Sequence, residues 1–160
     1  MAKETPVPQA PLDKAARLLL RELARDGRLS HRELATRTGL SLATVNRRMR
    51  AMESDGTIRG YAVLADPGRL GWTLTAVIGL RIEKGFVRAV HEAIAKDPRI
   101  FGVYDVTGEW DGLVLVRLRD RDDLDDLVKT TLSLAHIQRT NTMVVLKTVL
   151  ERAVVGMPPS

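Results

Sequence analysis

The chain has 160 residues, 44% of them hydrophobic and 28% charged, with a net charge of +5 and no cysteine. That length suits one ordinary domain or two small ones, and the apolar content is enough for a packed core, which excludes disorder as the default reading. The missing thiols exclude disulfides, thiolate metal sites and thiol nucleophiles together, and fit a reducing compartment such as the cytoplasm.

The charge is unevenly placed: residues 1–66 hold 12 Lys and Arg against 8 Asp and Glu, whereas residues 67–160 hold 13 against 12. A basic N-terminal part points to a polyanionic partner, although so modest an excess also suits a merely soluble surface. Residues 1–11 carry Pro6, Pro8 and Pro11 without apolar periodicity and read as a flexible arm. No signal-peptide core precedes Leu12, and no apolar run approaches the ~20 residues of a membrane span, so no membrane partner is expected.

Apolar residues at Leu12, Ala16, Leu19, Leu20 and Leu23 share one face of a first helix that Gly27 can close. Ser30 and Glu33 have the spacing of a capping box, which starts a second helix at His31; it runs to Thr38, before Gly39. Ser41 offers a further N-cap for a third helix from Leu42 to about Asp55. Residues 58–64 read as β-like, Pro67 and Gly68 mark a boundary, and the remainder reads strand, helix, strand, strand, helix, strand. The strands are expected at Leu74–Ile82, Ile100–Val106, Leu113–Leu118 and Thr142–Leu150. One intervening helix is lined by Phe86, Val90, Ala93 and Ile94. The other is lined by Leu124, Leu127, Val128, Thr131 and Ala135, with the acidic run from Asp120 to Asp126 at its positive end.

That order is the ferredoxin-like split βαβ plan, with two helices on one face of an antiparallel sheet. The fold class is therefore α+β: a helix-turn-helix domain at 12–58, a linker strand at 59–69, a βαββαβ domain at 70–152 and a tail at 153–160. The first strand is apolar on both sides, so its second face calls for self-association.

Thr38, Gly39 and Leu40 give the turn of a DNA-binding helix-turn-helix. On the third helix Leu42, Val45, Met49 and Met52 form an inward stripe, and Arg47 points almost opposite, flanked by Thr44 and Arg50. In the major groove Arg47 or Arg50 would bond guanine, Thr44 would touch a base edge, and Ser41, Asn46 and Arg48 would complete the DNA-binding set. For Arg48 a phosphate contact and an intramolecular salt bridge stand as equal alternatives, and Asn46 faces a weaker version of the same choice.

Here the chain resembles the leucine-responsive and asparagine-regulator (Lrp/AsnC) family of transcription factors. The residues that carry the resemblance are DGRLSHRELATRTGLS at 26–41, the Val45, Arg48 and Met49 spacing with DGTIRGY at 55–61, VTGEWDG at 106–112 and RTNTMVVLK at 139–147. Met52 and Thr57 depart mildly from the family's usual Leu and Val. The resemblance implies a winged helix-turn-helix followed by a regulatory domain that dimerises through its sheet and assembles into tetramers or octamers. It also implies nucleoid association and an amino-acid effector or related metabolite bound between dimers.

By the same resemblance Gly108, Glu109, Trp110 and Asp111 stand in the effector loop. Glycine amides suit a carboxylate, an aspartate suits an ammonium, and an aromatic ring walls a side-chain pocket. Thr140, Asn141 and Thr142 would add hydrogen bonds. The alternative is an ordinary hairpin turn. No catalytic constellation can be specified, His31, His91 and His136 are scattered, and neither a metal nor a cofactor is expected. Two other readings stay open: sirohaem decarboxylases look like this family, and a chromatin-like packer of the same fold would bind DNA without sequence preference.

Overall fold

The computed structural model describes residues 11–151; the expectations for most of the N-terminal arm and for the whole C-terminal tail fall outside them. The described chain divides into two compact units, residues 11–64 and residues 65–150.

The first unit is a bundle of α1 (Lys14–Arg25), α2 (His31–Thr38) and α3 (Leu42–Ser54). Each helix starts on a side-chain cap. Asp13 accepts from the Ala16 amide at 2.8 Å, Ser30 and Glu33 form the expected capping box, and Ser41 accepts from the Thr44 amide at 3.2 Å. Such oxygens satisfy donors that have no partner inside the helix. Gly39, at φ 71°, closes α2 in the left-handed conformation that spares glycine a Cβ clash. Ala16, Leu19, Leu29, Leu34, Val45, Met49 and Met52 make the core. Leu42 was expected on that inward stripe but is 40% exposed. Helical Cα–Cβ bonds lean toward the N-terminus, so a side chain in the first turn projects past the packed length of the bundle.

After α3 the Ile58 amide bonds back to the Met52 carbonyl at 2.8 Å. Residues 59–66 then form no strand, which corrects the expected linker strand. A strand is held by its ladder, and among the described residues no second strand pairs with this segment to supply one. Tyr61, Val63 and Leu64 are exposed there, with the Tyr61 hydroxyl donating to Glu53 at 2.8 Å.

The second unit opens with a 3-10 turn, Gly68–Leu70, and continues as β1 (Leu74–Ile82), α4 (Val87–Ile94), β2 (Ile100–Asp105), β3 (Gly112–Leu118), α5 (Arg121–Lys129) and β4 (Ile137–Val144). The four strands pair antiparallel in the order β2-β3-β1-β4, the ferredoxin-like arrangement. Because strand side chains alternate, Ala76, Ile78, Leu80 and Ile82 of β1 and Val114, Val116 and Leu118 of β3 share one buried face with Val90, Ile94, Leu127 and Leu132.

β2 ends at Asp105 and β3 begins at Gly112, each one residue from expectation, and larger differences fall at β4, α5 and α4. β4 begins at Ile137 and ends at Val144 instead of spanning Thr142–Leu150, because its register against β1 pairs Ile137 with Ile82 and Val144 with Ala76. α5 stops at Lys129, where the Thr130 and Ser133 hydroxyls take up carbonyls of the last turn, so Thr131 and Ala135 lie beyond the helix. Phe86 caps α4 from outside, stacked on the His136 ring at 3.5 Å, and Ala93 is exposed.

Candidate functional site

The outward face of α3 follows from its inward one. With Val45, Met49 and Met52 buried, a 100° advance per residue leaves Arg47 and Arg50 exposed, and among the described residues neither guanidinium makes an ion pair. The Ser41 and Thr44 hydroxyls lie 2.9 Å apart at the start of the same helix, hydrogen-bonded to each other. These four residues place two free cations and two hydroxyls along one solvent-facing surface.

Asn46 and Arg48 do not join that surface as free groups. His31 Nδ1 lies 2.6 Å from Asn46 Oδ1, linking the first turn of α2 to α3. Arg48 pairs with the Asp13 carboxylate, its Nε is buried, and among the described residues that atom has no hydrogen-bond partner. For Arg48 the intramolecular salt bridge is the alternative that forms. Sequence spacing could not choose, since both partners come from other helices.

In the second unit the loop between β2 and β3 is stitched to the end of β1. The Asp111 amide donates to the Leu80 carbonyl at 2.9 Å, and its carboxylate accepts from the Ile82 amide at 2.8 Å and lies 3.7 Å from the Arg81 guanidinium. Gly108 turns the loop at φ 113°. The Trp110 ring lies over Gly79 so closely that a Cβ there would stand 2.6 Å from it, and the Arg139 guanidinium sits 5.5 Å from the ring centroid. Asp105, Val106, Thr107, Glu109, Trp110 and Leu113 line a cleft of about 570 Å³.

The expected effector residues do not converge as a set. Glu109 and Trp110 line the cleft. Asp111 Oδ2 accepts from the β1 backbone, and its Oδ1 lies beside Arg81. Register places Thr140 and Thr142 opposite Leu80 and Ile78, on the helix side of the sheet, and Asn141 opposite Gly79, on the side of Trp110. A contiguous Thr-Asn-Thr cannot point one way in a strand of period two.

Sequence reasoning missed His91. Its ring is half-buried against Gly112, where a Cβ would stand 2.4 Å from Nε2, and among the described residues that nitrogen has no hydrogen-bond partner. Burial holds its pKa below the usual imidazole value, against the opposing pull of Asp105. The available signal was glycine inside a strand, at Gly79 and Gly112, which marks a close approach by another group.

The second missed cluster surrounds Arg99. Its guanidinium pairs with Asp97 at 2.7 Å, Asp123 at 3.0 Å and Asp126 at 2.7 Å, and Arg119 reaches Asp123 at 3.2 Å. The bond from Arg99 holds the Asp97 carboxyl well below the usual range, and Arg119 and Arg99 together take Asp123 to about 2. The acidic run does start α5, with Asp120 accepting from the Asp123 amide, and no metal-ligand cluster occurs among the described residues.

A capped helix-turn-helix followed by a ferredoxin-like unit with a loop-walled cleft is the plan of a DNA-binding regulator with a ligand-binding domain. Residues 12–59 match the winged helix-turn-helix DNA-binding family, and residues 75–155 match the Lrp/AsnC ligand binding domain. The chain belongs to the Lrp/AsnC family of transcriptional regulators. It is 38% identical over 140 residues to an uncharacterised HTH-type transcriptional regulator of Pyrococcus horikoshii, covering 88% of this chain and 95% of that protein. Among solved structures it is similar to a transcriptional regulator of Neisseria meningitidis in complex with L-methionine, at 30% identity and a TM-score of 0.84 over 91% of this chain and 97% of that one. It is also similar to the feast or famine regulatory protein of Mycobacterium tuberculosis complexed with L-methionine, at 32% identity and a TM-score of 0.81 over 91% of this chain and 99% of that one. Among the described residues no helix is long and apolar enough to cross a membrane.

Proposed function

We propose that α3 reads double-stranded DNA in the major groove, with Arg47 and Arg50 as base or phosphate donors and Ser41 and Thr44 as hydroxyl contacts. The observation that carries this reading is the pair of exposed guanidiniums, without an ion pair among the described residues, opposite a buried Val45, Met49 and Met52 stripe on a helix fixed by its own cap. An arginine fork matches guanine O6 and N7, and the helix diameter matches the groove. Asn46 and Arg48 act here as packing residues between helices.

The cleft beside Trp110 takes an amino acid or a related small metabolite. Relatives solved with L-methionine supply the ligand class, and an indole wall beside the Glu109 carboxylate suits an apolar side chain and an ammonium group. The open sheet face, with Phe101, Tyr104 and Met143 exposed, supports a homodimer and larger assemblies of it. The protein works as a cytoplasmic, nucleoid-associated regulator rather than an enzyme, a reading that its match to DNA-binding and ligand-binding families of regulators supports. Genomic fragments selected for binding with and without a pool of amino acids test both halves. Enrichment of one shared motif, altered in occupancy by the pool, is the expected result. Fragments without a common motif would overturn sequence-specific reading, and indifference to every amino acid would overturn the effector.

A further inference from the structure

Arg48 stands next to the reading face of α3 and yet is spoken for. One Asp13 oxygen accepts the Ala16 amide at 2.8 Å as the cap of α1, and the other pairs with the terminal nitrogen of Arg48. With its first oxygen committed, Asp13 cannot offer the two-point contact that a carboxylate usually gives an arginine. The unused Nε is buried, so the root of the guanidinium is enclosed by protein while its tip meets the carboxylate.

We propose that Asp13 occupies the position of a DNA phosphate toward Arg48, and that this pair persists on DNA. Asp13 is then a positioning residue with a second effect: it removes one cation from the sequence-independent part of binding. The inference rests on α3 being the DNA-reading helix. Each cation that neutralises a phosphate adds about 0.9 to the slope of log K against log salt, and that contribution is the same for right and wrong sequences. A helix that carries Arg47, Arg48 and Arg50 in four residues would otherwise spend all three on any DNA. Holding Arg48 on Asp13 lowers the affinity for every DNA sequence alike, and with it the salt dependence, without removing an arginine that ties α3 to α1.

The test is a salt titration of wild type, Asp13→Asn, Arg48→Ala and the double variant on a selected fragment and on its scrambled counterpart. Asparagine keeps a cap oxygen for the Ala16 amide, so α1 stays intact, and far-UV circular dichroism checks that it does. Arg48→Ala is expected to leave the salt slope unchanged. Asp13→Asn is expected to steepen it by about 0.9 on both fragments and to leave their affinity ratio unchanged. The double variant is expected to return to the wild-type slope, because the released cation is gone. A slope lowered by Arg48→Ala alone would show that Arg48 already sits on a phosphate, and would overturn the proposal. So would a steeper slope in the double variant, which would assign the effect to the field of the Asp13 carboxylate, or an unchanged slope in Asp13→Asn. Wild-type protein that binds neither fragment would instead sink the reading of α3 itself.

Discussion

Arg47 and Arg48 are adjacent in sequence and opposite in employment: one guanidinium is exposed and makes no ion pair among the described residues, the other is tied to Asp13. Helical geometry made Arg47 legible, since its angle from the buried stripe follows from position alone. It could not assign Arg48, whose partner lies on another helix. Arg47→Ala is expected to weaken binding to selected DNA by about 1–3 kcal/mol and to relax base preference at one position. Competition binding across single-base variants of the site measures both, and unchanged preference would remove Arg47 from the reading face. In the second unit the same contrast holds for glycine. Gly112 leaves 2.4 Å between a would-be Cβ and His91 Nε2, so Gly112→Ala is expected to cost about 1–3 kcal/mol through overpacking. Both tryptophans, Trp72 and Trp110, lie in this unit, so their fluorescence during denaturation reports it. Adding His91→Ala should recover part of the loss; strictly additive effects would show that the two residues do not press on each other.

The elements themselves were largely readable. Caps at Ser30 and Ser41, the Gly39 turn and the alternation of β1 fixed α2, the start of α3 and the first strand of the sheet, because each depends on neighbours in sequence. The ends of β4 and α5 were not readable, since the first is set by its register against β1 and the second by hydroxyls that take up carbonyls of the last turn. Nor was the Arg99 network, which joins the turn before β2 to α5 through Asp97, Asp123 and the Thr131 hydroxyl. Arg99→Met would take from the mostly buried Asp97 its ion-pair partner and leave Asp123 to Arg119, and is expected to cost about 3–5 kcal/mol. Because Asp97 and Asp123 have depressed values in the fold, their stabilisation is fully present above the unfolded value near 3.8 and is lost as pH falls through the folded value, about 2 for Asp123. Thermal midpoints between pH 4 and pH 2 should therefore drop more steeply in wild type than in Arg99→Met; equal slopes would remove the network as the cause.

At the scale of the molecule, the two-unit plan and the four-stranded sheet followed from the order of elements, and the unpaired face of that sheet followed from the apolar second side of β1. The effector cleft was only half legible. Its loop was recognised, but Asp111 serves β1, and Thr140 and Thr142 lie across the sheet from Trp110. On the open face Val77 lies in register with Leu115 on one side and Met143 on the other, a continuous apolar row. Val77→Arg is expected to shift the sedimenting mass to that of one chain while tryptophan fluorescence stays native, and a mass unchanged by the substitution would move the association surface elsewhere.

Sequence-specific reading by α3 is the centre of this account, and the ratio of dissociation constants for a selected fragment and its scrambled counterpart at physiological salt tests it most directly. A selected site bound at least about 10³-fold more tightly is the expected result. Equal affinity for the two would contradict it and leave a packer of DNA in place of a regulator.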